Sequence, residues 1–232
     1  MSVDATVRAA VADGRTALTE VEAKRLLGEM GVPVSRPEIA TTAHEAVAAA
    51  TRVGYPVALK VVAASITHKS EYGCVVLDVH DEHGVRAAFD RILANAGAAV
   101  PDAAVEGVAV EAMAPAGLEV IVGLQRDPTF GPTVLFGLGG TLVELLADVA
   151  MRVVPFTDAD ADAMVDEIRG AALLRGYRDR PPADVAAVTR IIRQVGALGA
   201  ADGIASVDLN PVIVYEQGAI VVDALITLRG AA

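Results

Sequence analysis

Ser206-Val207-Asp208-Leu209-Asn210-Pro211-Val212-Ile213-Val214-Tyr215 runs through Glu216-Gln217-Gly218 into Ala219-Ile220-Val221-Val222-Asp223. The stretch reads as two apolar strands joined by a tight turn, with acceptor side chains where hydrocarbon is expected. Asp and Asn are depleted in strand interiors, so Asp208, Asn210 and Asp223 need a reason. Oxygen ligands on a rigid hairpin suit Mg²⁺, which takes one or two protein groups and fills its shell with water and phosphate oxygens. A four-residue loop pairs Val214 with Ala219 and, in the same register, sets Asn210 opposite Asp223 on one face, with Cβ atoms about 5 Å apart. A two-residue Gln-Gly loop keeps the pair on one face, offset by one position. A three-residue loop without a bulge would put the two residues on opposite faces. Pro211 cannot donate to a ladder, so its strand is an edge or is bulged there. An ordinary hairpin with solvated polar groups accounts for the same residues without a metal.

The 232 residues are 53% hydrophobic and 21% charged, which supports a sizeable core and excludes a disordered chain. That length fits one large domain or one two-lobed domain. Aromatics are 3% and Trp is absent, so stacking platforms for single-stranded nucleic acid are not expected. A formal charge of −11 disfavours any general phosphate-backbone binder. A nucleotide is still compatible, because a local lysine and a metal can reverse the field inside one cleft. The single cysteine, Cys74, excludes an internal disulfide and fits a reducing cytoplasm. The N-terminus has an early acid and no long apolar run, so no signal peptide is expected. No uninterrupted apolar stretch reaches about 18 residues, so no membrane span is expected.

Along the chain, residues 1–16 read as a loose or frayed helix. Thr19 and Glu22 form a capping-box pattern ahead of an apolar stripe of Val21, Leu26, Leu27 and Met30, with a stop at Gly31. Strands are expected at 37–41, 57–62, 75–79, 107–112, 119–124 and 150–155, and strand plus Gly-rich loop at 128–140. Helices are expected at 42–53, 82–96, 141–147, 158–175 and 182–199. This alternation places the fold in the α/β or α+β class with a mixed sheet. The weakest seam falls near 112–118.

Four further groups carry chemistry. Lys60 sits inside Pro56-Val57-Ala58-Leu59-Lys60-Val61-Val62, where a lysine is costly unless paired or bound to an anion. It reads as a phosphate contact or as an ammonium snorkelling off an edge strand. His68 lies in the polar loop Ser65-Ile66-Thr67-His68-Lys69-Ser70 that follows. It reads as a surface residue or, beside a phosphate, as a neutral imidazole able to accept a phosphoryl group. His44, His80 and His83 read as solvated. Gly137, Gly139 and Gly140 precede the expected helix at 141–147, where backbone N–H groups can meet an anion. The pattern is neither a Walker A loop nor the dinucleotide fingerprint, since Leu142 stands where the third glycine belongs. Tight-turn packing reads the same glycines. Glu111 and Glu119 flank a hinge-like Met113-Ala114-Pro115 and read as exposed strand polarity or as ribose acceptors.

Taken in order, these pieces resemble the ATP-grasp β subunit of ADP-forming acetyl-CoA synthetases, and more distantly the β subunit of succinyl-CoA synthetase. The resemblance covers roughly residues 17–230. It rests on Leu18-Thr19-Glu20-Val21-Glu22-Ala23-Lys24, Gly31-Val32-Pro33-Val34, Tyr55 to Lys60, His68-Lys69-Ser70, Val110 to Met113, Asp127 to Pro132, Phe136 to Gly140, and Asp208-Leu209-Asn210-Pro211 with Asp223. It implies an ATP-grasp fold with two lobes and mixed sheets flanked by helices: a loose segment over 1–16, a first lobe over 17–112, and a second over 113–232 carrying the metal-binding hairpin.

The resemblance also implies roles. Lys60 would be the ATP phosphate lysine, and Ala112 and Met113, flanked by Glu111, the adenine hinge. Glu119 would be a carboxylate near the nucleotide, with Gly137, Gly139 and Gly140 at the Gly-rich loop. Asn210 and Asp223 would hold Mg²⁺, Asp208 would orient a phosphohistidine from a partner chain, and His68 would shuttle the phosphoryl group. The family loop usually ends in a glycine pair, where this chain reads Gly73-Cys74. Nothing resembles a CoA-binding fold. The implied activity is therefore that of a nucleotide-binding subunit using ATP/ADP. It would convert acyl-CoA, ADP and phosphate into acid, CoA and ATP only with a CoA-binding α subunit, as an α2β2-type hetero-oligomer whose partner binds CoA and a small carboxylic acid. Two alternatives differ in class. One is a non-catalytic ATP-grasp module of an acyltransferase-type assembly, disfavoured because Lys60, His68, Asn210 and Asp223 are all present. The other is a stand-alone carboxylate–amine ligase, which generally carries a further preceding domain.

Overall fold

A computed structural model describes residues 3–140 and 148–229. The expected helix over 141–147 lies outside the described residues. The remaining elements build two antiparallel sheets, each with its own hydrophobic core. The chain is thus α+β, and it mixes helix with strand rather than mixing strand directions.

The smaller sheet has the order β1-β4-β2-β3, with β1 at Glu38–Ala40, β2 at Val57–Val62, β3 at Val75–Val79 and β4 at Gly107–Ala112. Every residue of β2 is buried, as its unbroken apolar run requires. Two helices cover this sheet, α3 (Ala43–Val53) and α4 (Glu82–Ala99). Thr42 caps α3 by accepting from the Glu45 amide at 3.2 Å, and Gly54 ends it with φ 88°. Ala46, Ala49 and Ala50 of α3 and Val85, Phe89, Ile92 and Ala96 of α4 fill the core beneath.

The larger sheet contains β5 (Leu118–Asp127), β6 (Gly131–Leu138), β7 (Val149–Val153), β8 (Ile204–Val214), β9 (Ala219–Val221) and β10 (Ala224–Leu228). Its order is β10-β8-β5-β6-β7, with β9 also pairing β8. The helices α1 (Val3–Ala12), α2 (Glu20–Glu29), α5 (Asp158–Glu167), α6 (Ala171–Leu174) and α7 (Val185–Leu198) contribute buried residues to its core. Packing therefore does not follow chain order. The N-terminal stretch expected to be loose forms α1 and buries Val7 and Ala10, and α2 buries Ala23, Leu26 and Leu27 in the same larger core. The helix expected over 158–175 is broken in two. The Asp148 carboxylate accepts from the Arg169 and Gly170 amides, each at 2.8 Å, and a side chain at Gly170 would meet Leu138 Cδ1 at 2.2 Å.

The hairpin takes the register of a four-residue loop: Val214 pairs Ala219 and Val212 pairs Val221. The ladder lapses at Val222-Asp223 and resumes in step, with Ala224 opposite Leu209 and Leu225 opposite Asp208. On the other side of β8, Val120 pairs Val212 but Val122 pairs Leu209. Asn210 and Pro211 thus stand against Ile121 alone, which is a bulge. The strand is interior, not an edge, and the bulge is where Pro211 is accommodated.

Candidate active site

The α2 helix begins with the expected capping box. Thr19 Oγ1 accepts from the Glu22 amide at 3.3 Å, and Glu22 Oε2 accepts from the Thr19 amide at 2.9 Å. Its inward face is only partly apolar, because Glu20 and Lys24 are buried with Ala23, Leu26 and Leu27, while Val21 and Met30 lie at its margin. From there the two charges reach the smaller sheet. Lys24 Nζ lies 2.6 Å from Glu20 Oε1 and 2.8 Å from Glu111 Oε2 on β4. Lys60 Nζ on β2 lies 2.8 Å from Glu20 Oε1 and 2.8 Å from Glu111 Oε1, and donates to the Val222 carbonyl at 2.6 Å.

Lys60 is therefore a paired core residue of an interior strand, not a snorkelling edge lysine. Lys69 Nζ, from the loop after β2, lies 3.2 Å from Glu20 Oε2. Asp223 Oδ1 is 3.9 Å from both Lys60 and Lys69. Three ammonium groups and three carboxylates thus balance in charge where the two sheets meet. Burying such charges is tolerable only because each is paired.

The electrostatics follow from this geometry. Burial alone would raise the Glu20 carboxyl, but Lys60, Lys24 and Lys69 outweigh it and hold Glu20 well below the usual carboxylate range. Burial opposes the Lys60 charge, but Glu20, Glu111 and Asp223 outweigh that and hold it above the ordinary lysine value. Asp223 goes the other way. Burial and the neighbouring Glu20 carboxylate push it up, and Lys60 and Lys69 only partly oppose them. Asp208, at the surface of the site, is also pushed up by partial desolvation.

Two adjoining cavities open on this cluster. The larger, about 280 Å³, is lined by Lys60, Glu111, Ala112, Met113, Glu119, Asn210 and Asp223 among others. The smaller, about 200 Å³, is lined by His68, Lys69, Asp208, Asn210 and Asp223. Asn210 and Asp223 belong to both. A wider cleft of about 710 Å³ runs along 21–37 and reaches Lys24 from the other side, and one of about 620 Å³ lies beside 180–183. His68 is exposed at the mouth, with Nδ1 3.6 Å from Glu71 Oε1, whereas His44, His80 and His83 are exposed elsewhere. The loop that carries His68 closes on itself: the Cys74 amide donates to the Lys69 carbonyl at 2.8 Å, and Cys74 is buried in the smaller core.

Not every expected group is free at the cavities. The Met113 amide donates to the Pro56 carbonyl at 2.9 Å, so this donor is already committed. Gly137, Gly139 and Gly140 line neither cavity. Gly139 is tied to it through Glu119, whose carbonyl accepts from the Gly139 amide at 2.7 Å, whereas Gly137 sits inside β6 opposite Ile121. Glu111 is not exposed strand polarity but a buried ion-pair member, 3% exposed. Glu20, Lys24 and Lys69 were not singled out from the sequence. The available signal was the Glu20…Lys24 spacing of four, facing the same way as Ala23 and Leu27, but such pairs ordinarily lie on a solvated helix face. Among the described residues no group of three or more His, Cys, Asp or Glu could by itself hold a metal. The oxygen pair of Asn210 and Asp223 suits a hard cation that takes its other ligands from phosphate and water.

Comparison with known proteins agrees with this architecture. The family model described as ATP-grasp domain matches residues 9–228. The chain is 42% identical over 224 residues to the acetate–CoA ligase [ADP-forming] II subunit beta of Pyrococcus furiosus, covering 95% of each chain. It superposes with TM-score 0.93 and 42% identity on the dinucleotide-forming acetyl-coenzyme A synthetase 1 of Ca. Korarchaeum cryptofilum in complex with coenzyme A, Ca-AMPCP and HgCl⁺, covering 98% of this chain and 100% of that one. A second structure of that enzyme, with coenzyme A and Mg-AMPPCP and its phosphohistidine segment pointing towards the nucleotide binding site, matches with TM-score 0.84 and 40% identity over 98% of this chain and all of that one. The chain belongs to the ATP-grasp family, within the group that contains the β subunits of ADP-forming acetate–CoA ligases.

Proposed function

We propose that this chain is the nucleotide-binding subunit of an ADP-forming acyl-CoA synthetase, passing a phosphoryl group between ATP/ADP and a histidine relay. The observation that carries the reading is the pair of adjoining cavities that share Asn210 and Asp223, with Lys60 in one and His68 in the other. The larger cavity takes the nucleotide, with Ala112 and Met113 at its hinge, Glu111 and Glu119 beside it, and Gly139, at the end of β6, held by Glu119. Asn210 and Asp223 would hold Mg²⁺, which would neutralise phosphate charge. A cation there also suits an Asp223 carboxyl that its surroundings otherwise push towards protonation.

Phosphoryl transfer is mostly positioning and charge neutralisation. Lys60 provides a buried positive charge beside the phosphates. The bond from the γ-phosphorus to the bridging oxygen breaks with its electron pair leaving on ADP. The lone pair of a neutral His68 nitrogen forms the P–N bond, while the other ring nitrogen keeps its proton. Asp208 orients a phosphohistidine brought by a partner. The partner would be a CoA-binding α subunit in an α2β2-type assembly, taking CoA and a small carboxylic acid. In support, the Pyrococcus relative is named as a β subunit. Two lobes divide the work. The smaller is built from 37–112, and the larger from 113–140 and 148–229 together with 3–34. The lone buried cysteine suits the cytoplasm, and among the described residues no helix is long and apolar enough to cross a membrane.

The test is direct. The purified chain alone should bind Mg·ADP and make no acyl-CoA, and activity should appear on adding the α subunit. Incubation with Mg·ATP followed by intact-mass measurement at neutral pH should give a phosphoadduct that His68→Ala abolishes. Appreciable ligase activity without a partner would sink the two-subunit reading.

A further inference from the structure

Lys60 has no donor to spare. An ammonium carries three N–H donors, and those of Lys60 meet Glu20 Oε1 at 2.8 Å, Glu111 Oε1 at 2.8 Å and the Val222 carbonyl at 2.6 Å. Lys24 is held between Glu20 and Glu111 and is 1% exposed. Lys69 differs. Among the described residues its ammonium lies 3.2 Å from Glu20 Oε2 and 3.9 Å from Asp223 Oδ1. It is 8% exposed, yet it lines the smaller cavity beside His68, Asp208 and Asn210. Its backbone is pinned, since the Lys69 carbonyl accepts from the Cys74 amide at 2.8 Å. Lys69 is thus the buried cation with donors available on the side where a phosphoryl group would pass.

We propose that Lys69 is a catalytic residue of the transfer, its ammonium holding oxygens of the phosphoryl group between the nucleotide and the receiving histidine. The inference rests on the phosphoryl-transfer reading above and deepens it. A donor fixed in a water-poor site acts on developing charge far more strongly than one in bulk water. When Lys69 turns to the phosphoryl oxygens, the Glu20 carboxylate keeps Lys24 and Lys60 on Oε1, while Oε2, which accepts no hydrogen bond among the described residues, loses its ion-pair contact with Lys69.

The experiment compares the full chain with its Lys69→Gln, Lys69→Arg and His68→Ala variants, each first shown to melt cooperatively. Calorimetry measures affinity for Mg·AMPPCP and for AMP, and rapid-quench mass analysis measures phosphoryl uptake from Mg·ATP. For Lys69→Gln the expected result is about tenfold or greater loss of Mg·AMPPCP affinity, with AMP affinity unchanged and restored discrimination in Lys69→Arg. Uptake should slow by about 10²–10³-fold. Unchanged Mg·AMPPCP affinity and uptake would overturn the proposal, as would equal losses of Mg·AMPPCP and AMP, which mark a merely structural role. Should Lys69→Gln fail to fold, the wild type decides: Mg·AMPPCP should shield Lys69 from amine acetylation, and unaltered labelling would count against it. An adduct that survives His68→Ala, or no adduct at all, instead counts against the histidine relay, and the calorimetric comparison still reports on Lys69.

Discussion

Glu20 is the residue on which the site turns, since Lys24, Lys60 and Lys69 all converge on its carboxylate. Glu20→Gln leaves three buried ammonium groups facing two carboxylates. The expected cost is about 3–5 kcal/mol, the range for breaking a buried pair from one side, read as a shift in the urea midpoint at unchanged slope. The pH dependence has two edges. The folded-state pKa of Glu20 is lowered from 4.5, so its contribution is present above that value and is lost as pH falls through the folded value. That of Lys60 is raised from 10.5, so its contribution is present below that value and is lost as pH rises through the folded one. Stability from this pair should therefore plateau between about pH 4.5 and 10.5, measured by urea titration across pH.

Asp223 carries the opposite sign, because its raised pKa makes the ionised carboxyl a burden at neutral pH. Asp223→Asn should raise the melting temperature of the nucleotide-free protein and remove the extra stabilisation given by Mg²⁺ with ADP. A lower melting temperature in that variant would contradict the assignment. None of these couplings is legible in the residues as a string. Lys60 could be seen to need a partner, but Glu20 and Glu111 stand 40 and 51 positions away from it in the chain and are brought to it by different elements.

At the scale of elements, local signals were reliable where the physics is local. The capping box at Thr19 forms as read, because neighbouring residues alone satisfy it, and the strand over 57–62 is marked by its own unbroken apolar run. For the hairpin, alternation leaves more than one loop length open, and the structure takes the four-residue one. Local signals mislead where another element intervenes. The break in 158–175 comes from Asp148 and Leu138, neither of which belongs to that helix. Gly139 shows the same dependence. A Cβ there would stand 2.8 Å from the Glu119 carbonyl carbon, where the start of β5 meets the end of β6. Gly139→Ala should cost about 1–3 kcal/mol, the usual cost of overpacking, and should weaken Mg·ADP binding by displacing Glu119. Calorimetry and melting curves on that variant check both.

For the whole molecule, α2 packs on the larger core while Glu20 and Lys24 grip the smaller sheet, so the two lobes meet through buried charge. A ligand in the shared cavities touches both lobes. Mg·ADP at about a hundred times its Kd should add about 2.7 kcal/mol, and raise the melting temperature by roughly 5–10 °C for a chain of this size. ADP with EDTA, or Mg²⁺ alone, should do clearly less, as scanning calorimetry would show.

Fold class, most element positions and the candidates Lys60, His68, Asn210 and Asp223 were all readable along the chain. Each depends on periodicity, turn chemistry or a polar group out of place, and those are properties of adjacent residues. The membership of α1 and α2 in the larger core, the bulge that keeps β8 interior, and the Glu20-centred network with Lys69 at its open side came only with the folded chain. They arise from long-range packing, which sets side chains distant in sequence a few ångströms apart, and from burial, which turns an ordinary helix-face ion pair into the charged floor of a site.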